Sequence, residues 1–402
     1  MLPSRWRLDL GAIFVYLALG AMFSAVPRYV TEELDGSKAV AGFGVSIFFL
    51  AAVLARPFAG RFVDARGRRP LLRTLPFVIA ALIVALTWAD HVGVVLAIRF
   101  VQGLAGGSLY VAAVTAETDL APEDRRASAV ARLSVFIYLG FAAGPALGEL
   151  LLDCGTGTAW WVLGAIGAVG GLLMATVPET RPEPESVAEG AAPLPRSRLI
   201  PRVTVLPGLT LLAMGVGYTS VTGLSALYAR SIGLDDSTPL YATYALSILV
   251  VRLASGRVAD AVGPAKVIVP GLVSFGLGFV SMAGAASTGV VAAAVVGVAL
   301  VGTGWALVFP ALIAWVSEQV PASQRGSAMG SLIAFMDIGQ GAGGYLVGSV
   351  ADGAGFAWAY TVPATLAVGG MASILVALGV GNRRRDDADP IAAADAPDLS
   401  QG

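Results

Sequence analysis

The ionisable residues within the long apolar runs of this chain include Arg99, Glu149 and Asp337. A charge inside an apolar span is costly and seldom idle. Because burial favours the neutral form of a carboxyl, a carboxylate there can take up and release a proton near physiological pH. These residue types therefore favour proton handling and ligand binding. Asp337 is the first candidate for a proton-carrying group, and Glu149 is the second.

Arg99 begins a face of polar and small residues within its apolar run. At helical spacing, Gln102, Gly103, Gly106 and Tyr110 follow it on the same side. We expect this face to line a central cavity, where Arg99 would hydrogen-bond a substrate or control a proton-carrying carboxylate. The alternative is a structural arginine that donates to backbone carbonyls.

Asp337 shares a helical face with Gln340, Gly341 and Gly344. This face is a second candidate for the wall of a cavity or proton pathway. The alternative for Asp337 is a polar tether to the second apolar run. Glu149 stands near the end of its own run, so its carboxylate could instead simply reach water.

The composition excludes most enzymatic chemistry. Of 402 residues, 56% are hydrophobic and 13% are charged, with a mean hydropathy of +0.77, as expected for a membrane protein. The lone Cys154 and lone His91 exclude a disulfide framework, a Cys/His metal site and a Cys-His or Ser-His catalytic pair. A net charge of -1 gives no basic footprint for nucleic acid. We expect no enzymatic activity, cofactor or metal.

The apolar runs that must position these residues are each long enough to cross a bilayer as a helix. They are continuous and do not alternate with polar residues, which excludes a membrane β-barrel. The sequence predicts twelve spans at 10–30, 39–60, 70–89, 92–116, 128–151, 159–178, 205–228, 237–257, 266–287, 289–317, 327–350 and 357–380. The fourth and tenth runs are longer than required, so we expect them to tilt or to extend into water.

The chain is internally duplicated. The segment GRFVDARGRR at 60–69 returns in shorter form as GRVADAVG at 256–263, and six identical residues, beginning with Arg56 and Arg252, recur at an offset of 196. PEDRRASA at 122–129 matches PASQRGSA at 321–328 at an offset of 199. Under that offset Tyr138 is the counterpart of Asp337. Transporters built from such halves bind substrate between them, near the midplane, and rock one half against the other.

Basic residues orient the spans. If both termini are cytoplasmic, the outward connections carry only Arg28, Lys38 and Arg230, and the remaining arginines of the connections and tails face inward. The predicted organisation is a six-helix bundle at 1–178, a proline- and charge-rich cytoplasmic linker at 179–204, a second bundle at 205–381 and a disordered cytoplasmic tail at 382–402. The first run is expected to be a retained helix, because no signal-peptide cleavage pattern follows it.

Three motifs carry a family resemblance. GRFVDARGRR resembles the loop motif between helices two and three of the major facilitator superfamily, and RFVQGLAGG at 99–107 resembles its fourth-helix motif. GFAAGPALG at 140–148 is similar to the fifth-helix motif of its drug/proton antiporters. The resemblance covers the whole chain and implies an all-α membrane protein with twelve transmembrane helices in two pseudo-symmetric six-helix bundles. The chain departs from the antiporter pattern at Glu149 and lacks an acidic residue between Gly11 and Val30.

The resemblance also assigns residues. Gly140, Gly144, Pro145 and Gly148 form the antiporter-like motif, which implies close helix packing, a kink and reduced leakage, whereas the alternative is ordinary small-residue packing. The two copies of the loop motif would form an inner gate through Gly60, Asp64, Gly67, Arg68, Arg69, Gly256, Asp260 and Gly263.

We expect Asp64 to bind the N-terminus of the eleventh helix, near Gly326 and Ser327, where free N–H groups favour an anion. Arg68 is expected to pair with Glu117 or Asp119. The alternative is that these charges only fix topology and solvate a loop, but glycines at both ends of the motif favour close backbone packing.

Five aromatic and two basic side chains have further predictions. Phe23, Tyr110, Tyr218, Trp305 and Phe309 fall on helices one, four, seven and ten and could stack on a substrate, although core or lipid-facing aromatics fit equally. Arg56 and Arg252 lie near the cytoplasmic ends of their spans, where we expect their guanidinium groups to snorkel to water.

The sequence therefore predicts a proton-coupled secondary transporter of the plasma membrane, expected to be monomeric, that exports drug-like or natural-product compounds. Its partners would be the substrate, protons and lipid. The alternatives are a carrier for sugars or other small metabolites, in either direction, and a membrane receptor that no longer transports. An intramembrane enzyme is disfavoured because no P-loop, metal-ligand cluster or nucleophile arrangement is present in the sequence.

Overall fold

The computed structural model describes residues 3–122, 125–181, 202–262, 264–320 and 325–388, with the side chains at 127–128, 131, 255–262, 264–265, 325–327 and 380–388 excepted. These residues form α-helices and two short 3-10 helices, and the described part of the chain has no strand. The α-helices are α1 Ser4–Glu32, α2 Lys38–Arg66, α3 Arg69–Ala85, α4 Val92–Leu120, α5 Arg126–Leu152, α6 Thr156–Ala175, α7 Val205–Ser231, α8 Thr238–Val262, α9 Pro264–Thr288, α10 Val291–Glu318, α11 Arg325–Ala354, α12 Phe356–Ala359 and α13 Thr361–Ala388.

Each predicted span falls on a helix, the last one on α12 and α13 together. Lipid offers no partners to backbone polar groups, so continuous apolar runs satisfy them within helices. Within the described residues, ten helices are long and apolar enough to span a membrane, and the apolar part of α8, Thr238–Ala254, is shorter. The chain is a multi-pass membrane protein. The helices of the fourth and tenth spans, α4 with 29 residues and α10 with 28, are longer than a bilayer requires, as predicted, and α1 and α2 are equally long.

Neighbouring helices pack into two bundles. In the first half α1 packs on α5 and α6, and α3 packs on α4 and α6; in the second half α7 packs on α11 and α13, and α9 packs on α10 and α13. Two contacts between the halves are related by the duplication: α2 packs along α11, and α5 packs against α8. The predicted fold of two pseudo-symmetric six-helix bundles is therefore confirmed.

The glycines of the fifth helix lie against α1. At Gly144, an added Cβ would stand 2.5 Å from backbone atoms of Gly20 and Ala21, and Gly140 and Gly148 also face α1 backbone. The carbonyl of Pro145 accepts a hydrogen bond of 2.8 Å from Ser24 Oγ. Small residues thus let the two helix axes approach closely, as at many interfaces between membrane helices.

The substitution Gly144→Ala should destabilise the first bundle. Its methyl group would meet backbone rather than a movable side chain, and overpacking of this kind costs about 1–3 kcal/mol. Gly284→Ala is the matched control, because no described atom lies within 4 Å of the position of its Cβ. Thermal unfolding of the purified proteins would show a lower midpoint for the first variant only; equal midpoints would contradict the close α1–α5 packing.

Candidate functional site

The two bundles meet most closely along α2 and α11. At the end of the molecule that carries the α1–α2 connection, here called the α1–α2 end, the carboxylate of Asp352 accepts from the backbone N–H groups of Lys38 at 2.9 Å and Ala39 at 2.8 Å. An anion at a helix N-terminus is favoured by the free N–H groups and by the helix dipole. Further along, Gly42 and Gly344 bring the two backbones together with no room for a side chain.

Arg56 and Asp337 close the inner part of this contact. The guanidinium of Arg56 on α2 is hydrogen-bonded and ion-paired with the buried carboxylate of Asp337 on α11. The Cζ atom of Arg56 lies 5.3 Å from the ring centre of Tyr110. Arg56 does not snorkel, contrary to expectation, because the opposite bundle supplies Asp337 as a partner. Without Arg56, the buried carboxylate of Asp337 would be an uncompensated charge. Asp337 does tether α11 to α2, whereas its role as a proton carrier stays a prediction.

An aromatic-rich cavity surrounds this ion pair. Arg56, Tyr110, Asp337 and Gln340 all line it. The remaining walls come from both bundles. We call this space the central cavity; its other lining residues are Tyr16, Phe48, Phe49, Ala52, Gly106, Gly107, Ile137, Tyr138, Phe141, Tyr218 and Met336. Apart from the ion pair, its polar groups are the amide of Gln340 and the hydroxyls of four tyrosines, and the rest of the wall is aromatic or aliphatic.

Arg99 and Gln102 lie behind the central cavity and do not line it, contrary to prediction. The Nε of Arg99 donates to the carbonyl of Gly44 at 2.9 Å, and its Nη1 donates to the Gln102 side-chain oxygen at 2.7 Å. The rings of Phe23 and Phe48 flank the guanidinium at 5.6 Å and 4.9 Å. These contacts match the alternative interpretation, a structural arginine bonded to a carbonyl, here between α4 and α2.

A second cavity lies between α5 and α8. We call it the lateral cavity; it is lined by Val135, Tyr138, Leu139, Ala142, Tyr218, Ala245, Ile248, Leu249, Arg252, Leu253 and Trp305. Trp305 lies 4.7 Å from Tyr218 and stacks on Phe309 at 5.8 Å between ring centres. Arg252 lines this cavity, and its expected snorkelling stays a prediction. The duplication that relates Arg252 to Arg56 is the sequence signal that could have found this position at the cavity.

Glu149 belongs to a polar network at the α1–α2 end. Its carboxylate is buried, so it does not reach water, and it accepts from Ser237 Oγ of the second bundle at 2.6 Å. Arg28 lies 3.3 Å from Glu149 and 3.2 Å from Glu32, and Glu32 in turn pairs with Arg230 of the second bundle. This network adds bonds between the halves at the same end as Asp352.

The opposite end of the molecule, here called the α2–α3 end, carries the first copy of the loop motif. Arg68 lies 2.8 Å from Asp119, one of its two predicted partners. Gly67 has a φ of +87°, which favours glycine, but no described atom lies within 4 Å of a Cβ added at Gly60. The close packing expected at Gly60 stays a prediction, because the side chains at 325–327 at the start of α11 are not described.

The latch between Asp64 and α11 stays a prediction. Asp64 is exposed, and the side chains at 326 and 327 lie outside the described residues. In the second copy of the motif, Gly256 and Asp260 lie on helical backbone whose side chains are not described, and Gly263 lies outside the described residues altogether.

Glu179 secures the first copy and was missed by the sequence analysis, which placed it in the linker. Its carboxylate accepts four backbone N–H groups at 2.9–3.1 Å, those of Arg68, Arg69, Thr180 and Arg181. Partial burial raises the pKa of this carboxyl, but the four donors outweigh burial and hold the pKa below its ordinary 4.5. An acidic residue just past a helix looks solvated in a sequence, so no signal identified it.

Comparisons with known proteins agree on one family. The sequence profile described as Major Facilitator Superfamily matches residues 8–305 and again 237–398. An uncharacterised MFS-type transporter of Salmonella typhimurium is 26% identical over 381 residues, covering 92% of this chain and 95% of that protein. An uncharacterised MFS-type transporter of Burkholderia mallei is 26% identical over 369 residues, covering 89% of this chain and 88% of that protein.

Solved structures share the fold. A D-xylose–proton symporter superposes with a TM-score of 0.75 at 16% identity, covering 93% of this chain and 95% of its own. The human organic anion transporter MFSD10 superposes with a TM-score of 0.69 at 20% identity, covering 93% of this chain and 100% of its own. A variant of the nucleoside transporter NupG superposes with a TM-score of 0.74 at 13% identity, covering 93% of this chain and 100% of its own. At these identities the likeness shows the fold alone.

The substitution Glu179→Gln should weaken the α2–α3 end. An amide has one acceptor oxygen and no charge, and loss of such a cap costs about 1 kcal/mol. Because the folded-state pKa is lowered, the stabilisation is present above pH 4.5 and is lost as the pH falls through the folded-state value. Thermal unfolding at pH 7 and in acid would measure this stabilisation. The control is Glu33→Gln, which removes an exposed carboxylate in the α1–α2 connection. A difference in unfolding midpoint between Glu179→Gln and the unaltered protein that did not change with pH would contradict this account.

Proposed function

The chain belongs to the major facilitator superfamily, and from that premise we propose that this transporter is a proton-coupled exporter of drug-like or natural-product molecules. The observation that carries the proposal is the Arg56–Asp337 ion pair, which joins the two bundles and lines the central cavity. A group in that place is reached both by a substrate and by the movement between the halves. Protonation of Asp337 would remove one charge of the pair and weaken the contact of α2 with α11.

The ion pair favours exchange over cotransport. In alternating access, an antiporter must not change state when it carries neither proton nor substrate, whereas a symporter must return empty. With neither ligand bound, the charged Arg56–Asp337 pair holds α2 on α11 and resists the change of state. A proton on Asp337, or a substrate that displaces the carboxylate, releases the pair. The pair therefore supports antiport with protons.

The orientation supports loading from the cytoplasm. With both termini cytoplasmic, the α1–α2 end faces outward, and the bonds of Asp352, Glu149 and Glu32 to the opposite bundle hold that end closed. In alternating access, closure on the outside belongs to the inward-facing state, in which an exporter loads its substrate from the cytoplasm and an importer releases it. Residues 1–178 and 205–381 would then move as the two rigid halves, joined by the linker at 179–204.

A carrier for sugars or other small metabolites is the second candidate. Two solved structures with this fold are named as a D-xylose–proton symporter and a nucleoside transporter. The wall of the central cavity distinguishes the candidates, because a sugar needs many hydrogen-bonding groups. Seven aromatic rings and several aliphatic side chains form most of the wall here, which favours a substrate with a large apolar body.

Asp337→Asn should uncouple transport from the proton gradient, because the amide cannot ionise. Everted membrane vesicles energised to an acidic lumen and loaded with acridine orange report proton efflux when a transported compound is added. For compounds that dissipate the gradient in the unaltered protein, we expect the variant to fall to the background of vesicles without the transporter. Asp90→Asn, an exposed carboxylate, is the control. Unchanged proton efflux in Asp337→Asn would overturn the assignment.

The native Cys154 tests the orientation. It is exposed in the α5–α6 connection and is the single cysteine of the sequence. In intact cells a membrane-impermeant maleimide should label it without permeabilisation. In a Cys154→Ser background, Arg66→Cys at the exposed end of α2 should be labelled only after permeabilisation. The reverse pattern would place the termini outside and contradict export from the cytoplasm.

A further inference from the structure

The duplication relates the two contacts between the halves, but it does not conserve their charge. Arg56 on α2 corresponds to Arg252 on α8, and Asp337 on α11 corresponds to Tyr138 on α5. At the α2–α11 contact an arginine therefore meets a carboxylate. At the α8–α5 contact the corresponding arginine meets a tyrosine.

Arg252 has no carboxylate partner in the described part of the chain. Its Cζ lies 6.0 Å from the ring centre of Tyr138, and its Nε is buried without a hydrogen-bond acceptor. A guanidinium does not lose its proton in proteins, so it cannot avoid this charge by becoming neutral. Cation–π attraction compensates only part of the lost hydration. Among the described residues, the site thus holds one positive charge without an anion.

The surroundings of Arg252 are apolar. The lateral cavity is walled by aliphatic side chains including Ala142, Ala245 and Ile248, with the indole of Trp305 on one side. The charges of Arg56 and Asp337 in the adjoining central cavity balance each other. The two cavities together therefore carry one net positive charge beside a large apolar surface, which repels cations and suits a monoanion with an apolar body.

We propose that the lateral cavity binds amphipathic organic monoanions. The carboxylate or sulfonate group of the ligand pairs with Arg252 in the way that the carboxylate of Asp337 pairs with Arg56. This inference rests on the proposed function and names its substrate class. The planar guanidinium offers paired N–H donors to such a group. The apolar part of the ligand packs against Trp305 and the aliphatic wall.

The position of the site also links binding to coupling. Tyr138 and Tyr218 line both the lateral and the central cavity. An anion held on Arg252 therefore presses on the same aromatic wall that encloses the Arg56–Asp337 pair. Bound substrate can loosen that pair through these shared side chains, as the exchange mechanism requires.

A matched pair of probes tests the charge requirement: naphthalene-2-sulfonate and the neutral naphthalene-2-sulfonamide. Binding to the full chain in lipid nanodiscs is measured by titration calorimetry, with empty nanodiscs as the blank and without a pH gradient. We expect the sulfonate to bind more tightly than the sulfonamide. Arg252→Gln should weaken the sulfonate by about tenfold or more, as the loss of a charged hydrogen bond does. Arg252→Lys should recover part of that loss.

The substitution Tyr138→Asp provides the sharpest comparison, because it places a carboxylate where the duplication would have put one. That carboxylate should pair with Arg252 and compete with the ligand. Tyr138→Asn is its uncharged match in size. We expect the sulfonate to bind about tenfold or more weakly to Tyr138→Asp than to Tyr138→Asn, whereas the sulfonamide should not distinguish the two variants.

Several results would overturn the inference: equal affinity for both probes, full sulfonate affinity in Arg252→Gln, or equal sulfonate affinity in the two Tyr138 variants. Failure of the proposed function looks different. If the anion binds as expected but no compound drives proton efflux in vesicles, proton-coupled export is contradicted and the anion site stands. If neutral compounds drive proton efflux but no anion preference exists, only the anion site is contradicted.

Discussion

The packing of α2 on α11 is the constraint on which the rest of the structure depends. Glycine contacts draw the two helices together at the α1–α2 end, and Arg56 and Asp337 meet where the contact reaches the central cavity. Neither charge could remain there alone, because an unpaired buried ion costs far more than a paired one. Each bundle therefore completes a site that the other cannot complete, and the aromatic walls of the cavity are arranged around that shared pair.

The two halves of the chain share the same backbone arrangement, but several functional side chains differ between corresponding positions. Under the 199-residue offset, Gly348 and Glu149 are counterparts. Gly348 lies against the backbone of α2, whereas Glu149 accepts a hydrogen bond from Ser237 at the start of α8. The same fold thus gives a tight contact on one side and a contact with an adjoining cavity on the other. This difference provides room for a ligand at the α5–α8 contact.

The sequence predicted the helices well because bilayer thickness and backbone hydrogen bonding leave a long apolar run few alternatives. It predicted less about the site, since a helical face does not reveal which neighbour it meets. The face that begins at Arg99 was recognised, but the spacing could not show that Gly44 and two phenylalanines enclose this arginine. Snorkelling of Arg56 was predicted from its position near a helix end. That position does not reveal its partner Asp337, which lies 281 residues away in the sequence.

The glycine contact of α2 with α11 has a consequence for the speed and cost of motion. Gly42 and Gly344 meet backbone to backbone, so their separation disengages no interlocked side chains and requires no rotamer change. Interdigitated cores resist such sliding, because every knob must leave its hole before the next position is reached. At the glycine contact itself no side chain has to be withdrawn, so the polar bonds of Asp352 and Asp337 on either side of it supply much of the resistance to separation.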